Sequence, residues 1–208
     1  MHGMSRNVTV VAVLLGAASA ARAQAPQSPP PRVAASSYAS VEVHINSRYM
    51  FGQWDPDDAA LTGPSRIAIS YGQPHARGRK IVGGLIPNDT VWRFGANMAT
   101  TLHTDVDMTL GLLAIPRGDY TLFILHSGAG WQLIVSSQTA QWGTDYRSAR
   151  DVGRVAMTAK TMNDDEETLT IYLVPDAPRP GSGFAELSGV MRVPWGTIEL
   201  SAPWKVKK

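Results

Sequence analysis

The sequence predicts an all-β protein, an antiparallel β-sandwich or jelly-roll-like single domain. About nine to eleven short segments alternate apolar and polar residues with a period of two, which is typical of half-buried strands. These segments follow one another at regular spacing, with turn-forming residues between them. No segment has the longer period of an amphipathic helix. The predicted fold rests on these three observations.

The first strand is predicted from Val41, where valine and isoleucine alternate with polar residues. Residues 47–64 are rich in turn-forming residues and are predicted to be a long excursion rather than a regular element. A second strand follows at residues 66–71. The glycine-rich stretch after it is expected to be extended only at residues 91–94. Further strands are predicted at residues 100–106, 109–115, 120–125 and 131–135.

Residues 120–125 are apolar on both faces, which predicts a central strand. Residues 127–130 are turn-forming and connect this strand to the next as a hairpin. A short helix is predicted only within residues 138–151, where Gly143 limits its length. The final third returns to the period of two, and an acidic turn is expected at residues 163–167. Its apolar strand positions are Val155, Met157, Ala159, Leu169, Ile171, Leu173, Ile198 and Leu200.

The N-terminus has the features of a secretory signal over residues 1–23. Arg6 precedes an apolar run, and Ala21-Arg22-Ala23 supplies a small-x-small cleavage site. The run is too short for a membrane-spanning helix, and no second run is long enough. An uncleaved anchor is the alternative. Residues 24–40 are proline-rich and predict a disordered tether, which leaves one β-sandwich domain over residues 41–208.

The composition excludes several functional classes. The chain has no cysteine, which excludes disulfides, thiolate catalysis and cysteine-ligated metals. Residues 1–23 contain two of the 19 lysine and arginine residues and no acidic residue. The predicted mature chain therefore has 17 basic and 17 acidic residues and is formally neutral. This balance does not support nucleic-acid binding. Phosphate-loop, Gly-x-Ser-x-Gly and His-Glu-x-x-His motifs are absent, and no cofactor is predicted.

The stretch from Tyr71 to Thr101 carries the densest set of candidate functional groups. Its three arginines could converge on an anion, because guanidinium groups bind carboxylate or phosphate through two parallel hydrogen bonds. Alternatively, each arginine stabilises a loop by binding carbonyl oxygens. Asn97 either holds a turn or orients a ligand, and His75 is a candidate acid or base. The candidate ligand-binding residues are Tyr71, His75, Arg77, Arg79, Trp92, Arg93 and Asn97.

A weaker candidate is a metal site. His103, Asp105 and Asp107 alternate along a predicted strand, so their side chains share one face. Neighbouring ligands on a single strand lie about 6.5 Å apart, so a metal ion would need further ligands from another segment. An ordinary solvated strand face has the same pattern.

The tryptophans divide into two groups, since buried indoles build sandwich cores and exposed indoles offer platforms for ligands. Trp131 and Trp195 lie in strand-like segments and are expected in the core. The candidate platforms are Trp54, Trp92 and Trp142.

Several of these residues form motifs that resemble a bacterial family catalogued as domain of unknown function 2911. The motifs are Tyr71-Gly72-x-Pro74, Arg77-Gly78-Arg79 with Ile81 and Gly83, Pro87, Trp92-Arg93-x-Gly95-Ala96-Asn97-x-Ala99-Thr100, Pro116-x-Gly118-x-Tyr120-x-Leu122-Phe123, Gln141-Trp142-Gly143-Thr144 and Trp195-Gly196-Thr197. The resemblance covers residues 66–203 and implies a periplasmic or secreted bacterial protein without an assigned activity. Met98 replaces a residue that is polar and often acidic in this family, so no catalytic carboxylate carries over.

Three functions are compatible with these observations, and none identifies a catalytic residue. The first is a binding or interaction module that presents the Tyr71–Thr101 surface to a small polar or anionic ligand or an envelope protein. The second is an enzyme for an anionic substrate that uses Arg79, Arg93, Asn97 and a nearby histidine. The third is a purely structural domain. The exposure of these side chains distinguishes the three.

Overall fold

The structure is a computed structural model that describes residues 32, 34–56, 64–177 and 187–207. Apart from Arg32, the described residues belong to one compact unit, residues 33–208. The predicted signal, residues 1–23, lies outside the described residues, as do residues 24–31 and 33 of the predicted tether. Within the described part, no helix is long and apolar enough to cross a membrane.

The described residues form thirteen strands and one short 3₁₀ helix, at Ser148–Arg150. The strands are β1 (Ser36–Ile45), β2 (Ser47–Met50), β3 (Gln53–Pro56), β4 (Ser65–Pro74), β5 (Val91–Trp92), β6 (Thr100–Thr104), β7 (Met108–Leu110), β8 (Leu113–Ile115), β9 (Gly118–Ser127), β10 (Gly130–Ser136), β11 (Asp151–Glu166), β12 (Tyr172–Pro175) and β13 (Ser188–Val206). This content confirms the predicted all-β class.

Eleven of these strands form one antiparallel sheet in the order β1-β4-β6-β9-β10-β11-β13-β7-β8, with β5 paired to β9 and β12 to β13. The first part of β11 pairs with β10 and its later part with β13, so this long strand joins the two halves of the sheet. Leu122 and Leu133 from one half share a hydrophobic core with Met191 and Leu200 from the other. Because both halves bury one face in a common core, the sheet has the predicted sandwich-like architecture.

Strand β9 is the central strand that the sequence predicts. Leu122 and Ile124 belong to the main core. Phe123 points to the opposite face and is also buried, since it packs edge-to-face against Tyr146 with 4.9 Å between ring centroids. A strand that is covered on both faces is apolar on both faces. The covering residue comes from the segment between β10 and β11, which also contributes to the candidate site.

The prediction of an irregular excursion at residues 47–64 is wrong for its first part, because β2 and β3 form a hairpin. Phe51 and Gly52 occupy its two-residue turn with φ values of 50° and 87°. Two successive residues with positive φ define the type I′ turn that suits hairpins. Phenylalanine rarely adopts this conformation, so the turn carries no recognisable sequence signal. Residues 57–63 lie outside the described residues.

Other predicted boundaries differ from the observed ones. Strand β1 begins at Ser36, inside the segment predicted as a tether, because residues 36–40 pair with β4. The acidic turn predicted at residues 163–167 is mostly strand, since β11 continues to Glu166, which pairs with Gly196. The strand predicted at residues 109–115 is interrupted by a turn at Gly111, whose φ is 55°. The predicted helix is reduced to the three-residue 3₁₀ turn.

Candidate functional site

The candidate site is organised by a tight loop between β5 and β6. Phe94 and Asn97 both have positive φ, which folds residues 93–99 back against the sheet. The Ala96 N–H donates to the Gly72 carbonyl oxygen at 2.9 Å, and the Thr100 hydroxyl donates to the Phe94 carbonyl oxygen at 2.7 Å. These bonds fix the position from which Arg93 projects.

Tyr71 is part of the core rather than of an open surface. It is almost fully buried, and its hydroxyl accepts a hydrogen bond from the Ile171 N–H at 2.9 Å. Burial raises the pKa of Tyr71, so its phenol stays protonated at neutral pH. The bond connects β4 to the segment before β12, across the sandwich.

Arg77 and Arg79 bind backbone carbonyls. The Arg77 guanidinium donates to the Ala35 carbonyl oxygen at 2.9 Å. Arg79 donates to the carbonyl oxygens of Ala76 and His75 at 3.0 and 2.7 Å. Both arginines therefore hold the loop after β4 in place, as the structural alternative proposes for each arginine.

His75 lies in the same loop, beside the segment that follows β11. Its Nδ1 is 2.8 Å from the Thr168 hydroxyl oxygen, and its ring is half-buried. Among the described residues, its Nε2 is buried and has no hydrogen-bond partner. The Arg93 cavity described below does not include His75 in its lining.

Arg93 has different surroundings from the other two arginines. It lines a cavity of about 200 Å³, and no described residue makes a hydrogen bond or an ion pair with its guanidinium. Its stem packs against Gly143, where an added Cβ would lie 2.6 Å from Arg93 Cδ. The stem is therefore held while the charged head is available. The residues that line this cavity, the Arg93 cavity, are Val91, Trp92, Arg93, Phe123, Gly143, Thr144 and Tyr146.

A second cavity, of about 300 Å³, has Arg79, Lys80 and Asp165 among its lining residues, together with Trp195. Trp92 of the Arg93 cavity stacks on Trp195 with 5.6 Å between ring centroids. The two cavities are thus neighbours, yet Arg79 and Arg93 line different ones. The structure does not bring the three arginines to one place. Arg79 binds carbonyl oxygens of its own loop, and Arg77 binds the carbonyl oxygen of Ala35, just before β1.

Tyr146 is a site residue that sequence reasoning missed. Its hydroxyl donates to Asp151 Oδ2 at 2.7 Å, and Arg154 lies 3.5 Å from the same hydroxyl. Burial, followed by the hydrogen bond to Asp151, raises the pKa of Tyr146. The phenol therefore stays protonated at neutral pH. The adjacent Gln141-Trp142-Gly143-Thr144 motif was the available signal, but it did not specify this tyrosine.

Asn97 has the turn-forming role that one alternative proposes. Its φ is 63° and its side chain is exposed. Its carbonyl oxygen accepts a hydrogen bond from the Gly143 N–H at 3.0 Å, and Ala99 N–H donates to the Gln141 carbonyl oxygen. Asn97 thus joins the loop before β6 to the segment before β11, which brings Gly143 onto Arg93.

The tryptophans follow the expectation for the core. Trp131 and Trp195 are buried, as predicted. Trp142 is 51% exposed, and Trp54 is also exposed, with one ring face stacked on His44 at 3.8 Å. Trp92 is half-buried between the core and the Arg93 cavity. Of the three candidate platforms, Trp92 alone belongs to the lining of that cavity.

The predicted metal site has a different arrangement from the expected one. Strand β6 ends at Thr104, so Asp105 and Asp107 do not continue its alternation. The two ring nitrogens of His103 contact Asp119 at 2.8 Å and Asp105 at 3.0 Å. Asp107 instead accepts a hydrogen bond from the Arg117 N–H. In the described part of the chain, no group of three His, Asp or Glu side chains is arranged to hold a metal ion.

The His103 cluster predicts a pH dependence of folding stability. The hydrogen bond to Asp119 is the largest cause of a raised His103 pKa; burial opposes it, and Asp105 adds to it. A raised pKa contributes stability that is fully present below the unfolded-state value of about 6.5 and is lost as pH rises through the folded-state value. We therefore expect Asp119→Asn to lower the free energy of unfolding more at about pH 6 than at about pH 9.

Urea unfolding of the wild type and of Asp119→Asn at several pH values measures this difference. Asp145→Asn is a suitable control, since Asp145 is an exposed carboxylate with only a long 3.7 Å ion pair to Arg147. A stability difference between Asp119→Asn and the wild type that does not change with pH would contradict the assignment.

The part of the chain that forms this site matches a known protein family. Residues 57–201 match the family model DUF2911, described as a protein of unknown function. The match includes β4 to β12 and every residue that lines the Arg93 cavity. No curated protein and no solved structure matches the chain. Because the family match spans more than half of the sequence, the protein belongs to the DUF2911 family.

Proposed function

We propose that the protein is a binding module whose Arg93 cavity takes a small carboxylate ligand with an apolar part. The observation that carries this proposal is the Arg93 guanidinium, which no described residue hydrogen-bonds or ion-pairs, at a cavity whose lining includes three aromatic side chains. A half-buried guanidinium without a protein partner is a favourable site for an external anion. The predicted signal at residues 1–23 supports a periplasmic or secreted location for this binding.

The chemistry of the cavity favours a carboxylate with an apolar part. Arg93 supplies a planar pair of donors, and the polar residue Thr144 also lines the cavity. Trp92, Phe123 and Tyr146 supply apolar and aromatic surface. The volume of about 200 Å³ lies below the range of about 300–1,000 Å³ that is usual for drug-sized ligands. The ligand is therefore small.

The titratable groups at the cavity support binding rather than acid–base catalysis. Arg93 and Tyr146 are the titratable side chains in its lining. The raised pKa of Tyr146 keeps the phenol protonated at neutral pH, and its one proton is donated to Asp151, so the hydroxyl does not act as a general base. An enzyme that used Arg79, Arg93 and His75 together would need these three groups at one cavity. Their partners hold Arg79 and His75 elsewhere.

Arg93→Met is expected to weaken the binding of benzoate by about tenfold or more, because the variant loses charge-assisted hydrogen bonds. Methionine keeps an apolar stem against Gly143. We therefore expect the melting temperature to change by no more than about 2 °C. Titration of the protein with benzoate, followed through the indole signals of the tryptophans by NMR, measures the affinity. Thermal unfolding measures the stability.

Two controls make the result specific. Benzamide has the same ring without the negative charge, so Arg93→Met should change its binding little. Arg77→Met removes a guanidinium from the same stretch of chain but not from the cavity, so benzoate binding should be retained. If Arg93→Met lowers the melting temperature by several degrees and leaves benzoate binding intact, Arg93 is a structural residue and the proposal fails.

A further inference from the structure

Strand β1 is a long, open edge of the sheet. It has ten residues and stands at one end of the strand order, where its only strand partner among the described residues is β4. Strand β8, at the other end, has three residues. Such an edge exposes a row of backbone N–H and C=O groups to solvent or to another chain.

Proteins usually protect long edge strands with lysine, proline, a bulge or a covering segment. Strand β1, with the sequence SSYASVEVHI, contains neither lysine nor proline. Its register with β4 runs without a shift from Ser36 opposite Pro74 to Ile45 opposite Ser65, so there is no bulge. The edge is therefore regular. The β2–β3 hairpin reaches β1 near its C-terminal end, where Trp54 stacks on the His44 ring.

Tyr38 marks the same edge with exposed aromatic surface. It is 74% exposed. Its neighbour on β4 is Gly72, which has no side chain to pack against the ring. No described residue hydrogen-bonds the Tyr38 hydroxyl. An aromatic ring and a phenol are thus both available to a partner at this edge.

We propose that β1 pairs in antiparallel fashion with β1 of a second copy of the chain, centred on Ser40. Side chains alternate between the two faces of a strand. The apolar faces of both sheets therefore lie on the same side only when even-numbered residues pair with even-numbered ones and odd with odd. Centring on Ser40 or on Val41 gives the fullest overlap of the two strands. Charge distinguishes these two registers, as well as the register centred on Glu42.

Centring on Glu42 would place two carboxylates directly opposite each other, and centring on Val41 would place them at a diagonal contact. Centring on Ser40 instead places Tyr38 opposite Glu42 of the second copy, so that the phenol can donate to the carboxylate. Residues 36–44 of the two copies then form one continuous antiparallel ladder. The two Glu42 side chains are separated by four residues along the strand, about 13 Å.

This pairing is independent of the Arg93 cavity, and light scattering after size-exclusion chromatography tests it directly. We expect the wild type to be a dimer over a concentration series. Ser40→Glu and Ser40→Lys each place two like charges at the centre of the ladder, so each variant should be a monomer. Ser40 is exposed, so neither substitution should lower the melting temperature markedly. A mixture of the two variants should form a heterodimer.

Cysteine cross-linking tests the register, since the chain has no cysteine of its own. In the Ser40→Cys variant, the new cysteines of the two copies lie directly opposite each other. Their Cα atoms are about 4.5–5.5 Å apart, which permits a disulfide, so mild oxidation should give a covalent dimer. Glu42→Cys is the matched control on the same face, and it should remain uncross-linked. A monomeric wild type, or cross-linking of Glu42→Cys but not of Ser40→Cys, would overturn the proposal.

Discussion

Replacing Gly72 with alanine is expected to destabilise the domain by about 3 kcal/mol or more, at the upper end of the cost of overpacking. A Cβ atom at this position would lie 1.9 Å from the Ala96 carbonyl oxygen and 2.7 Å from the Ala96 carbonyl carbon. Both are backbone atoms, which cannot turn away as the end of a flexible side chain can. Urea unfolding, with thermal melting as a second measurement, gives the size of the effect.

The same substitution should weaken benzoate binding. The hydrogen bond from Ala96 N–H to the Gly72 carbonyl oxygen holds residues 93–99 against β4, and an added methyl group pushes this loop away. Arg93 leaves with it, so the guanidinium loses its place in the cavity. A folded Gly72→Ala protein should therefore show both lower stability and lower affinity, unlike Arg93→Met, which should lose affinity alone.

Gly128→Ala is the matched control. A Cβ at Gly128 meets no atom within 4 Å, so the change in stability should stay within about 0.5 kcal/mol. If Gly72→Ala unfolds at the same urea concentration as Gly128→Ala, the loop does not approach β4 as closely as the structure shows. The position of Arg93 would then need another explanation.

The fold class follows from the sequence because its signal is local. Residues 120–125 are apolar on both faces since the strand is covered by the core on one side and by Tyr146 on the other. The hairpin formed by residues 47–56 escapes prediction because its turn places Phe51 at positive φ, where glycine or asparagine is the usual signal. The tertiary pairing of β1 with β4 likewise orders Ser36, which composition alone assigns to a tether.

The candidate site is only partly predictable, because its arginines differ by their partners and not by their local sequence. All three arginines lie among glycines. Arg77 and Arg79 bind carbonyl oxygens, whereas Arg93 lines the cavity. Whether a carbonyl lies within reach depends on the path of the loop. Phe123 and Tyr146 join Arg93 only after β5 pairs with β9 and the segment before β11 folds over them. These long-range contacts leave no periodic pattern in the sequence.

The second large effect is expected at Trp195, where alanine should cost about 3–5 kcal/mol of stability. Trp195 is 3% exposed and belongs to the core. Its indole N–H donates to the Glu167 carbonyl oxygen at 3.3 Å, and its ring supports Trp92. Removing it leaves a cavity in the core, and Trp92 loses the surface that fixes its ring beside Arg93. The Glu167 carbonyl oxygen keeps its hydrogen bond from the Ala76 N–H, so the cost comes from lost packing. Benzoate affinity should therefore fall together with stability.

Trp142→Ala separates the loss of an indole from the loss of packing. Trp142 is 51% exposed and follows Gln141 in the segment over the cavity, but it is not among the lining residues. Its removal should change stability by less than about 1 kcal/mol, since little buried surface is lost. Equal destabilisation by the two substitutions would show that Trp195 is not the support of the cavity wall. The dependence of the Arg93 cavity on the stacked pair would then be refuted, while Arg93→Met would still test the anion site itself.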